Sequence, residues 1–188
     1  LFVDEIFAQH VADALGDDSP VRTTVLLGNG DVPHDVSYEE MLAAASTDTP
    51  PEPEEDDPVV LMYTGGTTGL PKGVLHDQRS QLFNIYHNAI HLKFSESEQW
   101  LTQTPMFHAA STGGMLGILP SGGTHVSIPL FDPGAVLDVI ETEQITFTIM
   151  VPTMIAMMFA HEGYSPERLA SLRQLAYGAS PMPDATLD

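Results

Sequence analysis

The chain has 188 residues and no cysteine, and 6 Lys and Arg stand against 26 Asp and Glu for a formal net charge of −20. That length buries a core of about one domain, the absence of thiols excludes disulfides and protein-borne thiol chemistry, and with no basic stripe nucleic acid is not expected as a partner. No apolar run nears the ~20 residues that cross a bilayer and no leader pattern opens the chain, so a cytoplasmic setting is expected.

In chain order, Phe2–Leu15 carries apolar residues at helical spacing up to Gly16, and Val21–Leu27 reads as a strand. Ser37 stands where it can cap a short helix that opens Tyr38-Glu39-Glu40. Residues 1–49 therefore form an N-terminal α/β segment. Residues 50–58 hold Pro50, Pro51, Pro53 and Pro58 among five acids, a composition that packs no core and reads as an extended, solvated linker. A second α/β segment, incomplete, covers residues 59–188.

Within it, Val59–Tyr63 reads as a buried strand that enters a glycine-rich loop. Leu82, Ile85, Tyr86, Ala89 and Ile90 recur at helical spacing, so Ser80–His91 is expected as an amphipathic helix with those residues inward. Trp100–Thr104 reads as a strand delivering Pro105–His108, Gly113–Leu119 as a helix with Gly113 and Gly114 near its start, and Thr124–Ile128 as a strand. Asp132 and Pro133 make a cap and first-turn pair for a helix with Val136, Val139 and Ile140 on its apolar face. Ile145–Val151 reads as a buried strand and Pro152 opens a helix running to Gly163. Ser165-Pro166-Glu167 starts a short helix, and Gln174–Tyr177 is a strand that ends at Gly178. The alternation predicts an α/β fold of mostly parallel sheets flanked by helices, with ligands held where loops leave strand ends.

The loop Tyr63-Thr64-Gly65-Gly66-Thr67-Thr68-Gly69-Leu70-Pro71-Lys72-Gly73-Val74 carries four glycines, three threonines and one of only two lysines. Glycine admits φ > 0 and lets successive amides converge on one point, threonine adds hydroxyl donors, and lysine adds a mobile charge. Such a loop suits an anion with many oxygens, such as a nucleoside triphosphate. It is no Walker A loop: Pro71 and Gly73 flank Lys72 and send the chain back as an extended hairpin, where a P-loop would start a helix.

This segment resembles the phosphate-binding signature of the AMP-forming adenylate enzymes, which include acyl-CoA synthetases, adenylation domains of nonribosomal peptide synthetases and luciferase-type enzymes. Gly65 stands where the signature has serine, which removes one hydroxyl and leaves the backbone donors. Pro105-Met106-Phe107-His108 resembles the family's P-x-F-H segment. Tyr177-Gly178-Ala179-Ser180-Pro181-Met182-Pro183 resembles its G-G-A-P-L adenine segment, and the order and spacing of all three are family-like. The resemblance implies the large N-terminal domain of an acyl-adenylate-forming enzyme, of which this chain is a middle piece, expected to be inactive alone. The family's Tyr-Gly-x-Thr-Glu segment, ribose-binding Asp, hinge and C-terminal domain with its catalytic lysine are not in it.

The implied reaction joins a carboxylate to ATP, releases pyrophosphate, and transfers the acyl group to CoA. By resemblance, Thr64, Gly65, Gly66, Thr67, Thr68, Gly69 and Lys72 hold phosphates; Gly178, Ala179, Ser180 and Pro181 line the adenine; Lys72 and His108 are catalytic, with His108 near the carboxylate. Magnesium accompanies ATP, its family glutamate lying outside this chain, and no metal ligands are expected within it. His87 and His91, four apart, have no third ligand in sight. Amino-acid-activating relatives carry Asp where His108 stands. A buried ammonium without a counter-charge is costly, so a plain fatty or aryl acid is the expected substrate. Gly113, Gly114, Met115 and Val151–Met154 are expected to border the acyl tunnel. Rival readings are an adenylating relative with another acceptor and a nucleotide-binding module without turnover. The net charge repels ATP and CoA, and molar salt would screen it, which points to a salt-loving source. Nothing in the sequence sets an oligomeric state.

Overall fold

Asp4, Ser37, Asp77 and Asp132 each accept a first-turn backbone N–H, at 3.0, 3.2, 2.7 and 2.8 Å, and so begin four helices. Each side chain satisfies one of the donors a helix N-terminus leaves open. Asp132→Ala is expected to cost about 1 kcal/mol, read as a lower urea midpoint at unchanged slope. The computed structural model describes residues 1–16, 18–65 and 69–182, and of residues 113–115 the backbone alone. Two compact units divide at Glu52 and Pro53.

In the first unit, β1 (Phe2–Asp4), β2 (Val25–Leu27) and β3 (Val36–Ser37) form a parallel sheet in that order, with helices α1 (Glu5–Ala14) and α2 (Tyr38–Ala44). Val3, Ala8 and Leu26 are its buried centre. Phe2–Leu15, expected as one helix, is a strand followed by a helix: Phe2 pairs with Val25, and the Asp4 carboxylate starts the helix behind it. Val21–Leu27 shortens to Val25–Leu27 because β1 offers only three residues to pair with. Ser37 and Glu40 close a capping box across α2.

In the second unit, β4 (Pro58–Tyr63) and β5 (Gly73–Asp77) form an antiparallel hairpin, followed by α3 (Gln78–Leu92). The remaining elements run β6 (Gln99–Thr102), α4 (Ala109–Ile118), β7 (Thr124–Ser127), α5 (Pro133–Thr142), β8 (Phe147–Met150), α6 (Pro152–Phe159) and β9 (Gln174–Tyr177). The four later strands make a parallel sheet in the order β7-β6-β8-β9. Strand alternation splits its side chains into two layers. Leu101 and Met150 pack with Val136, Leu137, Ile140, Ile155 and Met158 of α5 and α6. Trp100 and Phe147 pack with Ile118 of α4 on the other face, beside Leu92 and Phe94. Sheets flanked by helices are thus the architecture, as the alternation predicts.

Several expectations are corrected. Val59–Tyr63 is no buried strand: Leu61 and Tyr63 are exposed, because a two-stranded ribbon covers one face only. The packed face of α3 centres on Ile85 and Leu92 and leaves Leu82, Tyr86 and Ile90 exposed. Helix α4 starts at Ala109, which puts Gly113 and Gly114 mid-helix, and α6 stops at Phe159, short of Gly163. The acidic segment before β4 is more than solvated. Glu55 and Asp57 carbonyls accept the Arg79 and Gln78 amides at the start of α3, and Arg79 pairs with Glu55 and Asp56 at 2.7 and 3.2 Å. Those pairs are exposed and each contributes less than about 1 kcal/mol. Among the described residues, no helix is long and apolar enough to cross a membrane.

At the amino ends of the parallel strands, Glu98 is only 2% exposed. It accepts from Arg173 Nη2 at 2.6 Å and from the Thr146 hydroxyl, whose oxygen in turn accepts the Gln99 amide at 2.9 Å. This cluster ties β6, β8 and β9 together at the edge opposite the loops that leave their carboxyl ends.

Candidate functional site

The glycine-rich segment is the tip of the β4–β5 hairpin. Its mouth is closed by the Thr64 amide on the Lys72 carbonyl at 2.9 Å, with the Thr64 hydroxyl 3.4 Å from the Lys72 amide and carbonyl. A Cβ built on Gly65 or Gly69 would meet nothing within 4 Å among the described residues. Lys72 is exposed and has no ion-pair partner among the described residues. The described part of the segment is thus a mouth closed by backbone, with an exposed ammonium beside it that has no ion-pair partner among the described residues. Gly66, Thr67 and Thr68, expected in the same role, lie outside the described residues.

The other two candidate segments leave the carboxyl edge of the parallel sheet. Pro105–His108 follows β6 and Gly178–Pro181 follows β9, with β8 and its Val151–Pro152 turn between them. Strands lie ~4.8 Å apart, so these two departures stand roughly 10 Å from each other. Pro105–His108 is held by its own backbone and by α4. The His108 amide donates to the Pro105 carbonyl at 3.0 Å, Thr112 Oγ1 donates to the Met106 carbonyl at 2.8 Å, and the Thr104 and Ser111 hydroxyls are bonded to each other. His108 is the N-terminal boundary residue of α4, makes no capping bond with its side chain, and sits 4.5 Å from the Phe107 ring. His108 is exposed at the sheet edge.

Ala179 has φ +70°, a left-handed conformation that favours glycine. Aligned on Pro181, it occupies the second glycine of the segment it resembles. Ala179, Ser180 and Pro181 are exposed, and Gly178 is half-buried. Ala179→Gly is expected to raise stability by about 0.5–1 kcal/mol, the relief of left-handed strain exceeding the added chain entropy; an unchanged or lower unfolding midpoint would contradict it.

The hairpin meets the start of α4 through a small cavity of about 80 Å³ lined by Met62, His76, Asn84, Ala109 and Thr112. Among the described residues no hydrogen bond joins the Thr64–Lys72 mouth to either of the other two segments. His87 and His91 lie exposed on α3, and no cluster of three metal-ligating side chains exists among the described residues. The side chains of 113–115, expected at the acyl tunnel, lie outside them.

Sequence reading missed Asn84, Asn88, Trp100 and His125. Trp100, Asn84 and Asn88 line a cavity of about 200 Å³ between the sheet and helices α3 and α4. The one available signal was two asparagines four apart on a helix expected to turn its apolar side inward. His125 Nε2 lies 2.7 Å from Thr102 Oγ1, and partial burial lowers its pKa, which favours the neutral imidazole.

The family described as AMP-binding enzyme matches residues 1–188. The chain is 38% identical over 142 residues to a feruloyl-CoA synthase of an Amycolatopsis species, covering 74% of this chain and 29% of that protein. It is 33% identical over 192 residues to an indoleacetate–CoA ligase of Aromatoleum aromaticum, covering 98% and 36%. Among solved structures it is similar to the inhibitor-bound N-terminal domain of FACL13 from Mycobacterium tuberculosis, at 28% identity and a TM-score of 0.83, covering 98% of this chain and 46% of that one. A putative long-chain-fatty-acid CoA ligase from Rhodopseudomonas palustris gives 25% and 0.84, covering 96% and 44%. The chain thus spans about a third of the curated relatives' length.

Proposed function

The chain belongs to the AMP-binding enzyme family, and from that premise we propose that the protein adenylates a carboxylic acid and passes the acyl group to CoA. A carboxylate oxygen attacks the α-phosphorus of ATP as the bond to the β-phosphate oxygen breaks, giving acyl-adenylate and pyrophosphate. The CoA thiolate then attacks the acyl carbon, and AMP leaves. The observation that carries this reading is the mouth of the hairpin: the Thr64 amide bonded to the Lys72 carbonyl, and an exposed Lys72 side chain with no ion-pair partner among the described residues.

Negative charge builds on pyrophosphate as it departs, so donors aimed there stabilise the transition state more than the ground state. Thr64, Gly65 and Gly69, with Gly66–Thr68, are the candidate donors and Lys72 the candidate counter-charge. The Gly178–Pro181 backbone is assigned to the adenine, and His108 to orienting the carboxylate. The absence of a carboxylate at His108 favours a plain acid over an amino acid. Relatives named as CoA ligases for feruloyl and indoleacetate substrates support both the class of acid and CoA as the acceptor. Magnesium would accompany the phosphates of ATP.

The test is carboxylate-dependent exchange of labelled pyrophosphate into ATP by the full-length gene product. Molar KCl is the proposed medium, since screening relieves the repulsion between a chain of charge −20 and two polyanions. Exchange followed by CoA-dependent AMP release is the expected result. Exchange without CoA use would assign a different acceptor, and ATP binding without exchange would reduce the protein to a nucleotide-binding module.

A further inference from the structure

Strand β6 has β7 on one side and β8, then β9, on the other. The chain leaves β6 and β8 toward opposite faces: β6 leads to α4, whose Ile118 packs with Trp100 and Phe147, and β8 to α6, whose Ile155 and Met158 pack with Leu101. In open parallel sheets such a reversal of strand order opens a crevice at the carboxyl ends, where ligands bind. The register shows it here. β6 follows β7 to Thr102↔Ser127 and β8 follows β9 to Met150↔Tyr177, whereas β6 and β8, among the described residues, pair at Trp100↔Phe147 and Leu101↔Thr148 and then part. Side chains bridge the split. Gln103 is 2% exposed, and its Nε2 donates to the Ile149 carbonyl at 2.6 Å. A carbonyl only accepts, which fixes the amide with its oxygen toward the buried Thr148 hydroxyl, a donor at 2.9 Å that also lies 3.0 Å from the Leu101 carbonyl. Packing alone does not require this amide, since methionine fills a similar volume with no polar group to satisfy. On the far side of Gln103, the Thr104 carbonyl accepts the Ser111 hydroxyl of α4 at 3.0 Å. The stretch that carries His108 is therefore tied to β8 at one end and to α4 at the other.

We propose that Gln103, oriented by Thr148, is a positioning residue for adenylation: its bridge to β8 sets the width of the β6–β8 crevice, and with it the place of His108 relative to the Gly178–Pro181 segment beyond β8. The inference rests on the adenylation reading, in which His108 orients the carboxylate and Gly178–Pro181 faces the adenine. Loss of the bridge lets the two sides of the crevice separate. The carboxylate then shifts against the α-phosphorus, while ATP keeps its own contacts on the β9 side and at the hairpin. Reacting atoms must meet at roughly 3–3.5 Å, and a misplacement of ~1 Å costs on the order of 100-fold in rate. The effect therefore falls on turnover and spares ATP binding.

The experiment measures kcat for pyrophosphate exchange and the calorimetric affinity for ATP, both below the unfolding transition, on the full-length protein. Wild type is compared with Gln103→Met, Thr148→Val and Thr148→Ser. Gln103→Met keeps the length of the side chain without its hydrogen bonds, and is expected to lower kcat by roughly 10–100-fold at unchanged ATP affinity. Thr148→Val should shift kcat the same way, and Thr148→Ser, which keeps the hydroxyl, should restore it. Wild-type kcat in Gln103→Met overturns the assignment; should that variant not fold, wild-type kcat in Thr148→Val does the same. A parallel loss of kcat and ATP affinity also overturns it, because a sheet that is merely loosened weakens both. So does a Thr148→Ser rate as low as that of Thr148→Val, which would make the loss one of packing. Exchange by wild type with unaltered variants leaves adenylation standing, whereas no exchange by wild type with any acid overturns adenylation and this assignment with it.

Discussion

Lys72→Ala is expected to lower carboxylate-dependent pyrophosphate exchange by roughly 100–1,000-fold, the usual loss when one donor to a developing oxyanion is removed. The unfolding midpoint should stay where it is, within about 0.5 kcal/mol. The second half follows from the structure: the Lys72 side chain is exposed and without an ion pair among the described residues, while the hairpin is closed by its backbone carbonyl, which alanine keeps. Lys72→Arg retains the charge but changes its shape and reach, and should recover only part of the rate. A wild-type exchange rate in folded Lys72→Ala would remove Lys72 from the phosphate site.

Arg173→Met is expected to cost about 3 kcal/mol in urea unfolding, although Arg173 stands at the amino end of β9 and the candidate segments at the carboxyl ends of the strands. Its partner Glu98 is 2% exposed, while Arg173 itself is 41% exposed. Truncation would strand a carboxylate whose remaining donor is the Thr146 hydroxyl. Breaking a buried pair from one side costs roughly 3–5 kcal/mol, and the lower end applies because water can approach from the arginine side. Adding Glu98→Gln to the same protein should return much of the loss, since the stranded charge goes with it. If the single variant loses under about 1 kcal/mol, Glu98 must be solvated in solution. Exchange activity measured below the unfolding transition should hardly change, which separates this cluster at the amino ends of the strands from the site at their carboxyl ends.

Local chemistry was legible wherever it was self-contained. Ser37 and Asp132 cap the helices their neighbours imply, because a cap and its first turn lie within three residues of each other. Pro71 and Gly73 foretold a returning strand, and β5 begins at Gly73. Misreadings fell where a partner distant in sequence decides. Phe2–Asp4 has helical spacing yet pairs with Val25–Leu27, and no window of α1 contains that strand. The stripe Leu82, Ile85, Tyr86, Ala89 and Ile90 names an amphipathic helix correctly, but which of its sides is covered depends on where the hairpin and α4 lie.

By itself the sequence determined the α/β alternation, the hairpin that carries Lys72, and three segments whose order marks the family, because φ preferences, caps and short-range spacing are properties of neighbouring residues. Only the tertiary structure decided that Pro105–His108 and Gly178–Pro181 leave one sheet edge with a single strand between them, since strand order β7-β6-β8-β9 is set by long-range pairing. It also decided that Trp100, Asn84 and Asn88 share a cavity under that edge. A helix and a strand that meet only in the folded chain leave no common period in the sequence, and the Trp100 indole N–H shows itself unpaired only once the other buried side-chain polar atoms among the described residues have found partners.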